Sequence, residues 1–119
     1  MSTSRRDKDY LSDIVEAMGR ICSYTHGLSY QQFMEDTRTQ DAVMRNLGVI
    51  GEAVKRLSPE LRRAHSEIPW REMAGMRDKL IHHYFGVNDE VVWSVATQQI
   101  PDLKLRLSEI LTSIDEPAG

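Results

Sequence analysis

The amino-acid sequence predicts an all-α protein, an up-and-down antiparallel bundle of about four to six helices. Apolar residues recur at helical spacing along most of the chain, and helix-capping signatures separate the apolar stretches. No repeat, low-complexity tract or interdomain linker interrupts this pattern. A chain of 119 residues has room for one domain with one core. We therefore expect a single domain over residues 1–119, with its core at about 5–114 and a frayed tail at 115–119.

The first predicted helix covers residues 6–24. Its apolar residues follow the period of an α-helix, with further apolar residues widening the stripe. Gly27 is a plausible end for this helix, since glycine readily adopts the backbone conformation that follows a helix. The residues of the stripe are Leu11, Ile14, Met18 and Ile21.

Two capping signatures follow. Ser29 with Gln32 predicts a capping box and a short second helix. Thr37 with Gln40 repeats the spacing and predicts the start of a long third helix. The apolar stripe of that helix is Val43, Leu47, Ile50, Val54 and Leu57.

Prolines divide the second half of the chain. Ser58 before Pro59 predicts the start of a short fourth helix, and Pro69 opens the next helix, which Gly86 closes. Asn88 is the predicted cap of a helix that follows, and Pro101 either kinks that helix or starts another. The apolar stripe of the final stretch is Leu103, Leu107, Ile110 and Ile114.

Composition excludes several classes of protein. Hydrophobic residues are 40% and charged residues 28%, which is ordinary for a soluble globular protein. No apolar run approaches the roughly 20 residues that a membrane-spanning helix needs, and the N-terminus does not resemble a signal peptide. The lone Cys22 cannot form an internal disulfide, which fits a reducing compartment, and we expect it to be a small buried or half-buried side chain.

The net charge of −3 argues against a general nucleic-acid binder, but the charge is unevenly distributed. Residues 55–83 contain seven Lys/Arg, four Asp/Glu and three of the four histidines. Such a region is compatible with local phosphate binding and equally with an ordinary solvated helix face.

Residues 77–84 combine the groups that metal-free RNA cleavage needs. Arg77 offers a planar fork of donors for a phosphate, and His82 can transfer protons near neutral pH. Asp78 lies four residues before His82, so on a helix it can hold the imidazole and favour its protonated form. Each residue also has a purely structural interpretation: an ion pair for Arg77, a hydrogen-bonded half-buried side chain for His82, and a core-edge aromatic for Tyr84.

Helix geometry complicates this site. Residues five apart on an ideal helix point about 140° away from each other, so Arg77 and His82 do not lie side by side. A bulge can rotate the later turn, the arginine can reach round, or a second copy of the helix can supply the missing partner. A metal site is not predicted, since His82 and His83 point to different sides and His26 and His65 are isolated.

The segment also matches a family signature: arginine, four residues, histidine, one residue, tyrosine. This is the signature of HEPN-domain ribonucleases, and the chain over roughly residues 5–112 resembles the HepT-like toxins of MNT–HEPN toxin–antitoxin pairs. Besides the signature, the resemblance is carried by residues 6–11, 39–43, 45–53, 68–70 and 84–87 with Val92-Trp93.

The resemblance implies a dimerising helical bundle in which the two signature helices meet at a cleft. It implies a metal-independent endoribonuclease of the prokaryotic cytoplasm, with tRNA or mRNA as substrate and no cofactor. Arg77 and His82 match the catalytic positions, and Asp78 stands where the family usually has a polar residue, often Asn. Tyr84 matches the tyrosine that a partner nucleotidyltransferase adenylylates to silence the toxin of this type VII-like system.

The expected reaction needs the ribose 2′-OH, so RNA is a substrate and DNA is not. The competing interpretation is a catalytically inactive HEPN module that scaffolds or regulates a nucleotidyltransferase and binds nucleotide in the same cleft. A purely structural helical dimer is the third alternative, and it predicts no RNA cleavage.

Overall fold

A computed structural model describes residues 5–76 and 89–115, and all the regular structure in these two ranges is helical. A short π-helix, Val95–Gln99, joins the last two α-helices, so residues 89–115 form one continuous helical run. The described ranges thus contain six helical runs, which confirms the predicted all-α bundle. The α-helices are α1 (Arg5–Thr25), α2 (Tyr30–Glu35), α3 (Thr37–Lys55), α4 (Pro59–Ala64), α5 (Trp70–Ala74), α6 (Asp89–Ser94) and α7 (Ile100–Asp115).

The core lies between the three long helices α1, α3 and α7, which we call the frame helices. Their predicted apolar stripes are buried, apart from Ile114, which is only partly covered. Fully buried side chains from all three helices meet in one cluster, because the 3.6-residue period puts each stripe on one face. Those with no exposed surface on the frame helices are Leu11, Ile14, Met18, Ile21, Val43, Ile50, Val54, Ile100 and Leu107.

The other two frame helices, α3 and α7, run antiparallel to α1. Asp7 in the first turn of α1 contacts Ser58, just after the end of α3. Gly19, late in α1, faces the side chain of Lys104 near the start of α7. Each neighbour of α1 therefore runs in the opposite direction, as predicted for an up-and-down bundle.

The connection from α1 to α2 follows the predicted turn chemistry. Gly27 has a positive φ of 77°, a conformation that glycine adopts without strain. The Ser29 side chain accepts from the backbone N–H of Gln32, and the Gln32 side chain accepts from the N–H of Ser29. The predicted capping box is confirmed.

The predicted second capping box is wrong. Asp36, not Thr37, caps α3: its carboxylate accepts from the backbone N–H of Thr39 at 3.1 Å and from the Thr39 hydroxyl at 2.6 Å. The Thr39 hydroxyl bond is the main reason why the pKa of Asp36 lies below its usual value. Gln40 instead donates to the carbonyl oxygens of Phe33 and Met34, at the end of α2.

Pro101 does not end the last helical run: it is the second residue of α7, directly after the short π-helix. The π-helix before it closes with a bond from the Ile100 N–H to the Val95 carbonyl. A proline ring in an α-helix clashes with the carbonyl four residues earlier, and a wider turn relieves that clash. Val92, Ala96 and Ile100, at steps of four along this run, are all buried.

Candidate functional site

The four predicted site residues, Arg77, Asp78, His82 and Tyr84, lie outside the described residues. What the structure describes is the chain on either side: the approach through Met76 and the continuation from Asp89. The first flank is formed by α4 and α5, and the second by α6. These flanks are therefore the described parts of the chain that border the candidate site in sequence.

The first flank is packed against α3 through α5. Met73 has no exposed surface, and Trp70 and Met76 are 8% and 7% exposed. Because Met76 is bonded directly to Arg77, the chain reaches the predicted site from a buried position.

A tryptophan side chain joins the two helices of this flank. The Trp70 indole Nε1–H donates to the carbonyl oxygen of His65 at 2.9 Å and to that of Arg62 at 3.1 Å. His65 is the residue that ends α4, and Trp70 is the first residue of α5. The bonds therefore tie the beginning of α5 to the end of α4.

The start of α4 is tied to α1 by a buried carboxylate. Asp7 is 2% exposed, and its two oxygens accept from the Ser58 backbone N–H at 2.8 Å and from the Ser58 hydroxyl at 2.6 Å. The same hydroxyl accepts from the N–H of Leu61 and so caps α4, as the Ser58-Pro59 pair predicted. Charge-assisted hydrogen bonds of this kind are stronger than neutral ones.

The second flank is held by aromatic packing. The Trp93 ring lies 5.1 Å from the Phe33 ring and 6.2 Å from the Tyr30 ring, centroid to centroid. Val92 beside it is 7% exposed and joins the core. The chain thus leaves the predicted site into a segment that packs on α2.

The first flank also carries cationic side chains. Arg63 and Arg71 are exposed, and Arg62 is half-buried with its Nε enclosed and without a hydrogen-bond partner in the structure. His65 lies with its Nδ1 3.8 Å from a carboxylate oxygen of Glu67. These charges stand on the approach to the predicted site, with acidic residues interspersed.

Sequence reasoning missed two residues that hold this flank in place. Asp7 reads as one more acid in the first turn of a helix, and Trp70 as part of a family stretch. Their partners lie 51 residues away for Asp7 and on the preceding helix for Trp70. The only local signal was the Ser58-Pro59 start of α4, which identified Ser58 but not the carboxylate bound to it.

Two further features of the described residues bear on function. Cys22 is a free, half-buried thiol, as predicted. None of the helices in residues 5–76 and 89–115 is long and apolar enough to cross a membrane.

Comparison with known proteins places the chain in a family. The family model described as ribonuclease HepT-like matches residues 14–110. The chain is 48% identical over 106 residues to "Probable ribonuclease HepT" of Thermococcus cleftensis, covering 89% of this chain and 96% of that protein. It is 42% identical over 106 residues to a "Putative RNase" of Methanocaldococcus jannaschii, covering 89% and 88%. A "Putative RNase" of Caldanaerobacter subterraneus is 43% identical over 104 residues, covering 87% and 93%.

No solved structure matches the chain significantly. The family model nevertheless covers most of the sequence, and the relatives align over nearly their whole length. The chain belongs to the HepT-like ribonuclease family.

Proposed function

We propose that this chain is a metal-independent endoribonuclease, the toxin component of a type VII-like MNT–HEPN toxin–antitoxin pair that acts in the cytoplasm. The observation that carries the proposal is the family match over residues 14–110, a range that contains Arg77, Asp78, His82 and Tyr84. The names of the relatives, which describe ribonucleases, support the same reaction class.

In the proposed reaction the ribose 2′-oxygen attacks the adjacent phosphorus and the bond to the 5′-oxygen breaks. His82 takes the proton from the 2′-OH or gives one to the leaving 5′-oxygen, and two such groups across a dimer share the two roles. Arg77 binds the phosphate and stabilises the charge that develops there. The products carry a 2′,3′-cyclic phosphate, and DNA is not cleaved because it lacks the 2′-OH.

Two charges modulate this proposed site. Asp78 orients the imidazole of His82, but its own charge repels the RNA phosphate, so the rate is expected to rise in Asp78→Asn. Adenylylation of Tyr84 by a partner nucleotidyltransferase adds bulk and negative charge on the face of Arg77. The modified toxin is therefore expected to be silent, and Tyr84→Phe is expected to cleave RNA while escaping the partner.

The first experiment is cleavage of total tRNA in EDTA by wild type, Arg77→Ala, His82→Ala and His83→Ala. Wild type and His83→Ala are expected to leave cyclic phosphate ends, and the other two variants are expected to be inactive with unchanged helical content. His83 is the matched control, since it is a histidine next to the proposed one. Cleavage by His82→Ala at the wild-type rate contradicts the assignment.

Mixing the two inactive variants tests whether the site is shared between protomers. Arg77 and His82 point about 140° apart on one ideal helix, which favours a site built from two copies. A mixed dimer of Arg77→Ala and His82→Ala then contains one complete site and regains activity. A mixed dimer that stays inactive means that each site takes both residues from one chain, or that one cleavage needs both histidines of the dimer.

Absence of cleavage by unmodified wild type supports the inactive module instead. The intact mass separates the explanations, since whole AMP units on the chain indicate a toxin purified in its silenced form. Growth arrest on expression, relieved by a nucleotidyltransferase encoded next to this chain, supports the toxin pair.

A further inference from the structure

Trp70 makes the only side-chain hydrogen bonds between α4 and α5 among the described residues. We propose that Trp70 is a positioning residue for Arg77, which it places by joining α5 to the end of α4. The inference rests on the proposed ribonuclease function, in which Arg77 must meet the phosphate. Trp70 itself is 8% exposed and touches no substrate in this proposal.

The first step is that the Trp70 indole orients the start of α5 relative to α4. Its single N–H is shared between two carbonyl oxygens, at 2.9 Å from His65 and 3.1 Å from Arg62, both within hydrogen-bond range. Hydrogen bonds weaken steeply when misaligned, so they restrict the angle between two elements as well as their distance. The first residue of α5 is thereby fixed in both respects against α4.

The second step is the anchoring of α4, the acceptor side of these bonds. Its N-terminal cap, Ser58, is bound by both oxygens of the buried Asp7 carboxylate in α1. Its buried residue Leu61 packs into the core. The carbonyl groups that Trp70 binds therefore belong to a helix that is itself attached to the frame.

The third step leads from Trp70 to the proposed site. The buried side chains that follow Trp70 are methionines: Met73 in α5 and Met76, which lies two residues after the end of α5 and is bonded to Arg77. Methionine is flexible and packs in many orientations, so it fills space without fixing direction. The side-chain hydrogen bonds nearest before Arg77 among the described residues are thus those of the Trp70 indole.

Small displacements matter for a residue in the role proposed for Arg77. A misplacement of about 1 Å in a group that positions substrate can cost roughly a hundredfold in rate. Loss of the indole N–H is therefore expected to reduce turnover more than it reduces stability or RNA binding.

The test compares Trp70→Phe with Trp93→Phe. Both variants keep an aromatic ring in a packed position, but the Trp93 indole makes no hydrogen bond to any described residue. On a fluorogenic RNA in EDTA, Trp70→Phe is expected to lower kcat about tenfold or more while KM changes less than about twofold. Trp93→Phe is expected to keep kcat within about twofold of wild type.

Hydrogen–deuterium exchange of residues 77–84 is the second readout, and it needs no activity. Exchange in this peptide is expected to be faster in Trp70→Phe than in wild type or Trp93→Phe. If wild type does not cleave RNA, the proposed function fails and this measurement alone decides the positioning role. Unchanged exchange in Trp70→Phe, or unchanged kcat in an active enzyme, overturns the inference.

A second variant covers the case in which Trp70→Phe does not fold. Asp7→Asn weakens the attachment of α4 without touching α5. It is expected to accelerate exchange of residues 77–84 and lower kcat in the same direction by a smaller factor. No change in either quantity in a folded Asp7→Asn protein then overturns the inference.

Discussion

The frame helices α1, α3 and α7 bury long apolar stripes against one another, whereas the short helices α2, α4 and α5 each bury only one or two side chains and are also held by a few polar contacts. Each frame helix runs for 16 residues or more, and each of the three short helices for six or fewer. A short helix has few turns with which to bury side chains, and isolated helices of this length are not stable in water. Its placement therefore depends on individual caps and hydrogen bonds as well as on its one or two buried side chains.

Because of this difference, we expect mutations in the frame and mutations in the connections to have different effects. Apolar packing in the frame is distributed over many contacts and has little directional preference. The connections depend on small sets of directional contacts, such as the two hydrogen bonds from Ser58 to Asp7 and the two from the Trp70 indole to the end of α4. Since the predicted site follows directly after α5, changes in these connections are expected to affect function more than their effect on stability suggests.

The largest expected effect is on the frame. Leu107 in α7 has no exposed surface, and Leu107→Ala is expected to lower the free energy of unfolding by about 3–5 kcal/mol through lost burial and a residual cavity. Leu105, two residues earlier, is 67% exposed, so Leu105→Ala is the matched control. It should change the free energy of unfolding by less than about 0.5 kcal/mol. Urea unfolding of both variants measures the difference. Equal losses would mean that α7 does not pack as described.

The next effect is on the attachment of α4. Asp7→Ala removes a buried carboxylate that accepts two hydrogen bonds from Ser58, and a loss of about 2–3 kcal/mol is expected. Asp9→Ala, an exposed acid in the same part of α1, controls for the general effect of removing negative charge. Chemical denaturation at neutral pH compares the two. A loss in Asp9→Ala as large as in Asp7→Ala would refute the specific role of the buried contact.

A smaller effect is expected at the start of α2. Ser29→Ala removes the side chain that caps this helix and should cost about 1 kcal/mol. Ser23→Ala, at an exposed position inside α1, removes the same hydroxyl without a cap and should be neutral within about 0.5 kcal/mol. The difference in thermal midpoint between the variants tests whether the cap stabilises the fold.

The smallest effect concerns pH at Asp36. Its pKa in the folded protein lies below the ordinary value of 3.8, so its ionised form stabilises the fold above about pH 4 and this contribution is lost as pH falls through the folded pKa. The thermal midpoint of wild type should therefore exceed that of Asp36→Asn most at neutral pH, with the gap narrowing in acid. A gap that is constant from pH 6 to pH 3 would contradict the link to ionisation.

Prediction from sequence succeeded where the signal is local and periodic. The stripes of α1 and α3, the Ser29 capping box and the Ser58-Pro59 helix start all depend on residues within a few turns of one another. It failed at Thr37, where Asp36 one residue earlier offers a carboxylate that competes for the same backbone donors. Both residues suit an N-cap, and only the path of the chain out of α2 decides between them.

The choice of site residues was likewise made from a local pattern. Arg77, His82 and Tyr84 follow from the spacing and the family resemblance, and they stay predictions for the experiments above. The described structure adds what surrounds the site: a buried approach through Met76 and an aromatic anchor at Trp93.

The sequence by itself determined the helical class, the buried stripes and the family, because each depends on short-range periodicity or on an ordered set of residues. Only the tertiary structure decided that Asp7 binds Ser58, the N-terminal cap of α4, and that the Trp70 indole binds the other end of this helix. A carboxylate or an indole N–H can find a partner anywhere on the surface that folding brings near it, and no spacing rule connects residues 51 positions apart. Burial makes such a contact specific, because an unpaired charge or donor in the interior costs more than the bond itself contributes.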